Sequence, residues 1–367
     1  MMCISSARQA LNQTNIDPSS NKVLFILSTT KGNVRYLGTN NVFEEPTPPT
    51  GKVGADKQTC MPTCLTADRE RENRHNEKNV YQLFRENSVN SDCYEAISNN
   101  LENVRIGCSA RRIAGYFHNE NTPIAVSNAC ASGVCAQIIA MRAVKSGNYD
   151  YAVVIGADEL SPFIITGFQS LKALSSEVCK PFDSGRQGLN LGEAAATIIY
   201  GKSDNVNLQQ WVLVNGAVRN DANHISSPSR TGEGLYLALM QVMEKAQQDD
   251  IAFINAHGTA TLYNDEMESV VVNRVGMQSI PMNSMKGYFG HTLGAAGVLE
   301  TVLSMCAIDN HTILATRNFE KIGVSKPVNI SSKNQFTDKK SFVKLISGFG
   351  GCNAVALFRK GGCDECD

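Results

Sequence analysis

The chain lacks an excess of either charge: 34 Lys and Arg stand against 35 Asp and Glu over 367 residues, a formal net charge of −1. A nucleic-acid-binding surface shows as a basic excess or stripe, so this balance argues against that class of partner. Long hydrophobic runs are missing too, and nothing approaches the roughly 20 apolar residues that a bilayer-spanning helix needs. The opening MMCISSARQALNQTN holds no apolar core of signal-peptide length. The expectation is a cytoplasmic protein without a membrane partner. With no secretion signal in a chain this long, a disulfide framework is not implied by the 12 cysteines. Most are expected to be reduced and buried, behaving as small hydrophobes. Cys60 and Cys64 in CMPTC, and Cys363 and Cys366 in CDEC, have spacings that suggest metal, and His75 and Cys93 could join the first pair. No second compact Cys/His pair at zinc spacing follows, so no metal is expected. The terminal GGCDECD reads as a polar, frayed tail.

What is present is apolar material for a large core, 42% of the residues, enough for one large domain or two fused halves. KVLFILSTTKG (22–32) reads as a buried strand entering a turn. Before it, no strand and helix pair is evident. The 43–105 stretch then turns polar and loop-like, and TADRERENRHNEKN is a mixed-charge run with no apolar face. Such a stretch reads as an insertion or a solvated surface excursion. From NTPIAVSNAC onward the pattern is regular. IAVSNA is a short strand, ASGVCAQIIAMRAVKSG a helix ended by Gly147, and YAVVIGAD (151–158) a strand apolar on both faces. GLNLGEAAATIIYGK and WVLVNGAVRN supply strands, EGLYLALMQVMEKAQQ an amphipathic helix and IAFINAHG a buried strand. HTLGAAGVLETVLSMCAI reads as a long helix and SFVKLISGFGGCNAVALFRK as a hairpin of two strands. Strands alternating with helices give an α/β protein with both sheet faces covered.

Cys130, in VSNACASGVCAQ, stands where a strand ends and a helix begins. A thiol there meets the positive end of the helix macrodipole and unpaired backbone N–H groups, which favour the thiolate. The small residues after it keep the turn tight and leave room for a bulky substrate. Cys135 lies inside the helix and is expected to pack. INAHGTAT puts His257 at the end of a buried strand, and MNSMKGYFGHTLGAAG brings Lys286 and His291, the latter at the start of a Gly/Ala-rich helix. Each alone has an ordinary packing explanation. Together they place a thiol, two imidazoles and an amine at strand ends and helix mouths, where α/β sites form.

This ordered set resembles the β-ketoacyl-acyl-carrier-protein synthases of the thiolase superfamily, over roughly residues 107 to 360. Its marks are NACASG, AHGTAT, KGYFGHTLGAAG and GFGGCNA, with GADELS, KPFDSGRQGLNLGEAAA and HISSP between them. The resemblance implies a thiolase-like αβαβα layered fold of two similar halves, 1–210 carrying the nucleophilic Cys and 211–367 carrying the two His and the Lys. It implies an acyl chain held as a thioester on Cys130, with the backbone N–H groups of Cys130 and Phe349 as oxyanion hole. His257 and His291 are then neutral donors to the enolate left when malonyl-carrier protein loses CO2. Lys286 is expected to pair with Glu268 and to act electrostatically, with Asp265 at a second acidic position. Thr259 and Thr261, with Ser226, are expected to hold the phosphopantetheine arm, and Phe349 to swing as a gate.

No metal or organic cofactor is implied. The implied partners are an acyl carrier protein and a second subunit, homo- or heterodimeric, built over NTPIAVSNAC. Arg142, Lys145 and Arg219 are candidates for a basic patch facing the carrier. Two other readings stay open: a thiolase that condenses without decarboxylation, and a non-catalytic chain-length-factor-like subunit. The pathway, whether fatty-acid, polyketide or aryl-polyene assembly, does not follow from these residues, although the short, atypical chain leans towards a specialised role.

Overall fold

The structure, a computed structural model, describes residues 1–31, 104–202 and 210–361. Cys60, Cys64, His75, Cys93, Cys363 and Cys366, and all but the last two residues of 43–105, lie outside the described residues.

The first part of the chain runs through α1 (Met2–Leu11), β1 (Val23–Ser28), α2 (Ile106–Tyr116) and β2 (Ile124–Val126). It continues through α3 (Ser132–Lys145), β3 (Tyr151–Asp158), α4 (Pro162–Ser170) and β4 (Ala194–Gly201). These strands form one sheet in the order β2-β1-β3-β4, parallel except for β4. Helix α1 was not evident in the sequence; it hides its Ala7 and Leu11 against the sheet and exposes polar residues elsewhere.

After it come β5 (Trp211–Asn220), α5 (Glu233–Met243), β6 (Ile251–Asn255), α6 (Leu262–Arg274), β7 (Pro281–Asn283) and α7 (Lys286–Phe289). A 3-10 turn over Leu293–Ala295 leads into α8 (Ala296–Asp309). The chain then passes through β8 (Thr312–Ile313), β9 (Asn329–Ile330), β10 (Gln335–Phe336), β11 (Ser341–Gly348) and β12 (Cys352–Lys360). The second sheet has the order β5-β12-β11-β6-β7-β9, and β11 and β12 form the expected antiparallel hairpin.

Period-two alternation sorts the strands into layers. In β1, Leu24 and Ile26 enter a central core while Val23, Phe25 and Leu27 face α1 and α2. In β11, Phe342 and Ile346 face the same central core, and Val343 and Leu345 face α5 and α6. The central core also holds Val134 and Ile138 of α3 and Val298 of α8, so those two helices lie between the sheets. The result is the expected αβαβα stack.

Helices α3 and α8 touch at their first turns. A Cβ on Gly133 would lie 2.8 Å from the Val298 nitrogen, and one on Gly297 2.6 Å from the Val134 nitrogen. No side chain fits either position, which explains the small residues in NACASG and GAAG. Helix α3 ends at Lys145, and Gly147 takes the left-handed conformation (φ 75°) that stops it. Among the described residues, no helix is long and apolar enough to cross a membrane.

Candidate active site

The turn from β2 into α3 carries Cys130. Ala129 before it sits at φ 47°, and the Asn128 N–H donates to Ser132 Oγ at 2.7 Å, which closes the turn. The thiol is buried. Over it lies the loop between β11 and β12, so close that a Cβ on Gly348 would come within 3.1 Å of the Cys130 nitrogen. The backbone N–H groups of Cys130 and Phe349 both bear on the sulfur. Burial pushes the thiol up to about 12; Lys286 and the two N–H groups favour the thiolate but only partly offset it.

His257 follows β6 on a loop clamped by two carboxylates of α6. Glu268 accepts the N–H groups of His257 at 2.7 Å and Gly258 at 2.8 Å; Asp265 accepts the Thr259 N–H at 2.9 Å and the Phe182 N–H at 2.7 Å. Both acids support the site by holding backbone. The expected Lys286–Glu268 pair is therefore corrected, because both Glu268 oxygens are taken by the loop, and burial pushes its carboxyl up to about 7.

Lys286 opens α7, fully buried, and its Nζ meets Glu300 of α8 at 2.7 Å. The other Glu300 oxygen accepts from Lys344 of β11, whose Nζ also lies 3.3 Å from the Ala256 carbonyl. Sequence reading passed over Glu300 and Lys344. Their signal was present: each is a lone charge in an apolar element, VLETVL and FVKLIS, and such a charge needs a buried partner.

His291 is fastened by its N–H to the Asn190 carbonyl at 2.7 Å, with Gly192 N–H returning to the His291 carbonyl at 3.0 Å. It does not begin α8, which starts five residues later after the 3-10 turn. Its imidazole is held well below the usual histidine range by burial, then Lys286 and Lys344. Burial and Lys286 also lead the depression at His257, with His291 and Lys344 adding to it. Both rings are neutral, packed edge to face with centroids 5.1 Å apart. The Cys130 sulfur and one ring nitrogen from each histidine all lie within 4.8 Å of one another. Both ring nitrogens of His291, and Nδ1 of His257, are buried without a hydrogen-bond partner among the described residues. Such groups are costly unless a substrate meets them.

Phe349 stacks on Phe168 of α4, centroids 5.5 Å apart, with Gly350 and Gly351 behind it at positive φ. The Thr259 and Thr261 hydroxyls bond to each other at 2.8 Å. Ser226 lies on the loop whose Ile225 carbonyl accepts the Gly350 N–H at 2.7 Å, which links it to the Phe349 loop. Cys135 packs as expected, and Asn128 Nδ2 points at its sulfur from 3.5 Å. Arg142, Lys145 and Arg219 are exposed.

A fold of this layering with one thiol and two imidazoles at its centre defines the thiolase-like class. The family model described as Beta-ketoacyl synthase, N-terminal domain, matches residues 71–204, and Beta-ketoacyl synthase, C-terminal domain, matches 211–320. The chain belongs to the β-ketoacyl synthase family. It is 30% identical over 256 residues to 3-oxoacyl-[acyl-carrier-protein] synthase 2 of Rhizobium meliloti, covering 64% of this chain and 60% of that one. It is 29% identical over 282 residues to the 3-oxoacyl-[acyl-carrier-protein] synthase homolog of Saccharomyces cerevisiae, covering 69% and 62%. The chain spans about three fifths to two thirds of the length of the curated relatives it matches. Among solved structures it resembles a ketosynthase in complex with its chain length factor from Xenorhabdus doucetiae. That match has a TM-score of 0.70 and 25% identity over 93% of this chain and 75% of that one. A β-ketoacyl synthase from Burkholderia phymatum shares the fold at TM-score 0.77 and 21% identity, over 98% and 81%.

Proposed function

We propose that the chain is a β-ketoacyl-acyl-carrier-protein synthase that extends a Cys130-bound acyl chain by decarboxylative condensation. The observation that carries this reading is the meeting of the Cys130 sulfur with two neutral, unpartnered imidazoles within 4.8 Å.

In the first step Cys130 exchanges with the thioester of an acyl carrier protein. The S–C bond to Cys130 forms, that to the pantetheine sulfur breaks, and the thiol proton ends on the departing sulfur. A thiol held near 12 stays protonated in the resting site, so deprotonation accompanies attack. The Cys130 and Phe349 N–H groups receive the tetrahedral oxyanion. In the second step malonyl-carrier protein places its thioester oxygen between His257 and His291. The C–C bond to the carboxylate breaks, CO2 leaves, and the enolate oxygen accepts hydrogen bonds from both rings. The enolate carbon attacks the acyl carbonyl, and the new C–C bond forms as the S–C bond to Cys130 breaks. The β-ketoacyl thioester departs on its carrier, and the Cys130 thiolate takes a proton from water.

Thr259, Thr261 and Ser226 are assigned to the phosphopantetheine arm, and Phe349 to the gate over it. Residues 1–210 and 211–367 act as the two halves, one supplying the thiol and the other the imidazoles. The partners in this reading are an acyl carrier protein, reached across Arg142, Lys145 or Arg219, and a second subunit seated on β2, the edge strand of the first sheet. In this reading no metal or organic cofactor takes part, and the cytoplasm is the proposed location. Retained Cys130, His257 and His291 argue against a non-catalytic subunit, and His257 of AHGT with Lys286 against a non-decarboxylating thiolase.

The test is release of CO2 from malonyl-[acyl-carrier-protein] coupled to β-ketoacyl product. Condensation of two acetyl groups without CO2, or no condensation alone and with a partner subunit, would overturn the reading.

A further inference from the structure

Lys344 is a charge in an unusual place. It sits in the middle of β11, between Val343 and Leu345, and shares its parity with Phe342 and Ile346, so it points into the central core. Its side chain is fully buried there, as are those of Lys286 and Glu300. A lysine in such a core is costly unless paired. Glu300 meets Lys286 with one oxygen and Lys344 with the other, and the Ala256 carbonyl, one residue before His257, accepts a further Lys344 bond at 3.3 Å. One carboxylate thus answers two ammonium groups, and the cluster carries a net positive charge beside the imidazole pair.

We propose that Lys344 is a positioning residue for the decarboxylation step, fixing Lys286 through Glu300 and keeping the buried cluster cationic. The inference rests on the synthase reading above. Two consequences favour the reaction. A cation facing an imidazole disfavours its protonated form, so both rings stay neutral donors. The same charge stabilises the enolate that appears when CO2 leaves.

The groups facing the cluster are few. Lys344 faces Glu300 of α8, Lys286 of α7 and, further off, Glu268 of α6. The imidazoles face each other, Lys286 and Lys344, with the Cys130 thiol completing the site. Asp265 acts on Glu268 and Asp158 on Cys130. Burial and Lys286 bring the Lys344 ammonium down to about 8, while Glu300 holds it up, so its charge is present at neutral pH and lost above.

The experiment measures CO2 release from malonyl-[acyl-carrier-protein] against pH for the wild-type chain, Lys344→Met and Lys344→Arg. Acylation of Cys130, by mass, and thermal melting are followed in parallel. Lys344→Met removes the charge, so both imidazoles protonate more readily and the acid limb of decarboxylation moves up by about one pH unit, a roughly tenfold loss on that limb. Acylation stays within about twofold, because it does not use the enolate donors. The wild-type rate declines as pH passes about 8, and Lys344→Arg, charged throughout, lacks that decline. If Lys344→Met does not fold, the alkaline limb of Lys344→Arg alone decides. Equal losses in acylation and decarboxylation with an unmoved pH profile would reduce Lys344 to a structural role and overturn the inference. Absence of CO2 release from the wild-type chain would instead remove the synthase reading on which it stands.

Discussion

His257 and His291 meet edge to face, ring planes at 79°, although they come from different loops and neither is fixed by a bond to its own side chain that the structure records. Their backbones are held instead: His257 by Glu268, His291 by the Asn190 carbonyl. The rings are thus placed by the frame and left free to serve a ligand.

Replacing either histidine with alanine is therefore expected to cut decarboxylation of malonyl-[acyl-carrier-protein] by about 10²–10³-fold, the cost of one oxyanion donor. Acylation of Cys130 should survive. Parallel loss of both steps in a folded variant would show that the imidazoles serve the thiol alone.

The thiol itself gives a pH signature. With Cys130 pushed up to about 12, its alkylation by iodoacetamide should rise steadily with pH, with no plateau below 10. A plateau at pH 7 to 8 would mean a standing thiolate, which the burial of the sulfur opposes.

Glu300→Ala leaves Lys286 and Lys344 buried without a counter-charge, which should cost about 3–5 kcal/mol in denaturant unfolding. The sign of its pH dependence follows from Lys344. Burial holds its folded pKa below the unfolded value, so the unfolded chain binds more protons and the variant gains stability as pH rises towards that value. A variant as stable as wild type at neutral pH would show that the three charges are not coupled.

Gly133→Ala is expected to lower stability by about 1–3 kcal/mol, read from the unfolding midpoint, because its Cβ meets the backbone of α8 at 2.8 Å. Gly115→Ala, with nothing within 4 Å of the added carbon, is the control and should be neutral or stabilising. Equal effects at the two positions would contradict the close crossing of α3 and α8.

The sequence was legible where one physical rule dominated. YAVVIGAD could only be a strand covered on both faces, and the β11–β12 hairpin announced itself in GFGG. Cys130, His257, Lys286 and His291 were found by order and spacing, and they converge. What escaped was decided by tertiary context. Helix α1 is short and carries little apolar material, burying only Ala7 and Leu11, so it does not stand out from a polar terminus. Glu300 sits amid apolar residues of a helix that reads as plain core, and only the meeting of α7, α8 and β11 shows why a carboxylate is there. The thiol's protonation was not legible, because a helix mouth is visible in a sequence and the depth of burial is not.

The most direct test is peptide mass spectrometry after incubating the chain with an acyl-[acyl-carrier-protein]. An acyl mass on the peptide bearing Cys130, absent in Cys130→Ala, is the expected result. An adduct on another cysteine, or none under conditions where a partner subunit is supplied, would contradict the assignment of Cys130 as the acyl acceptor.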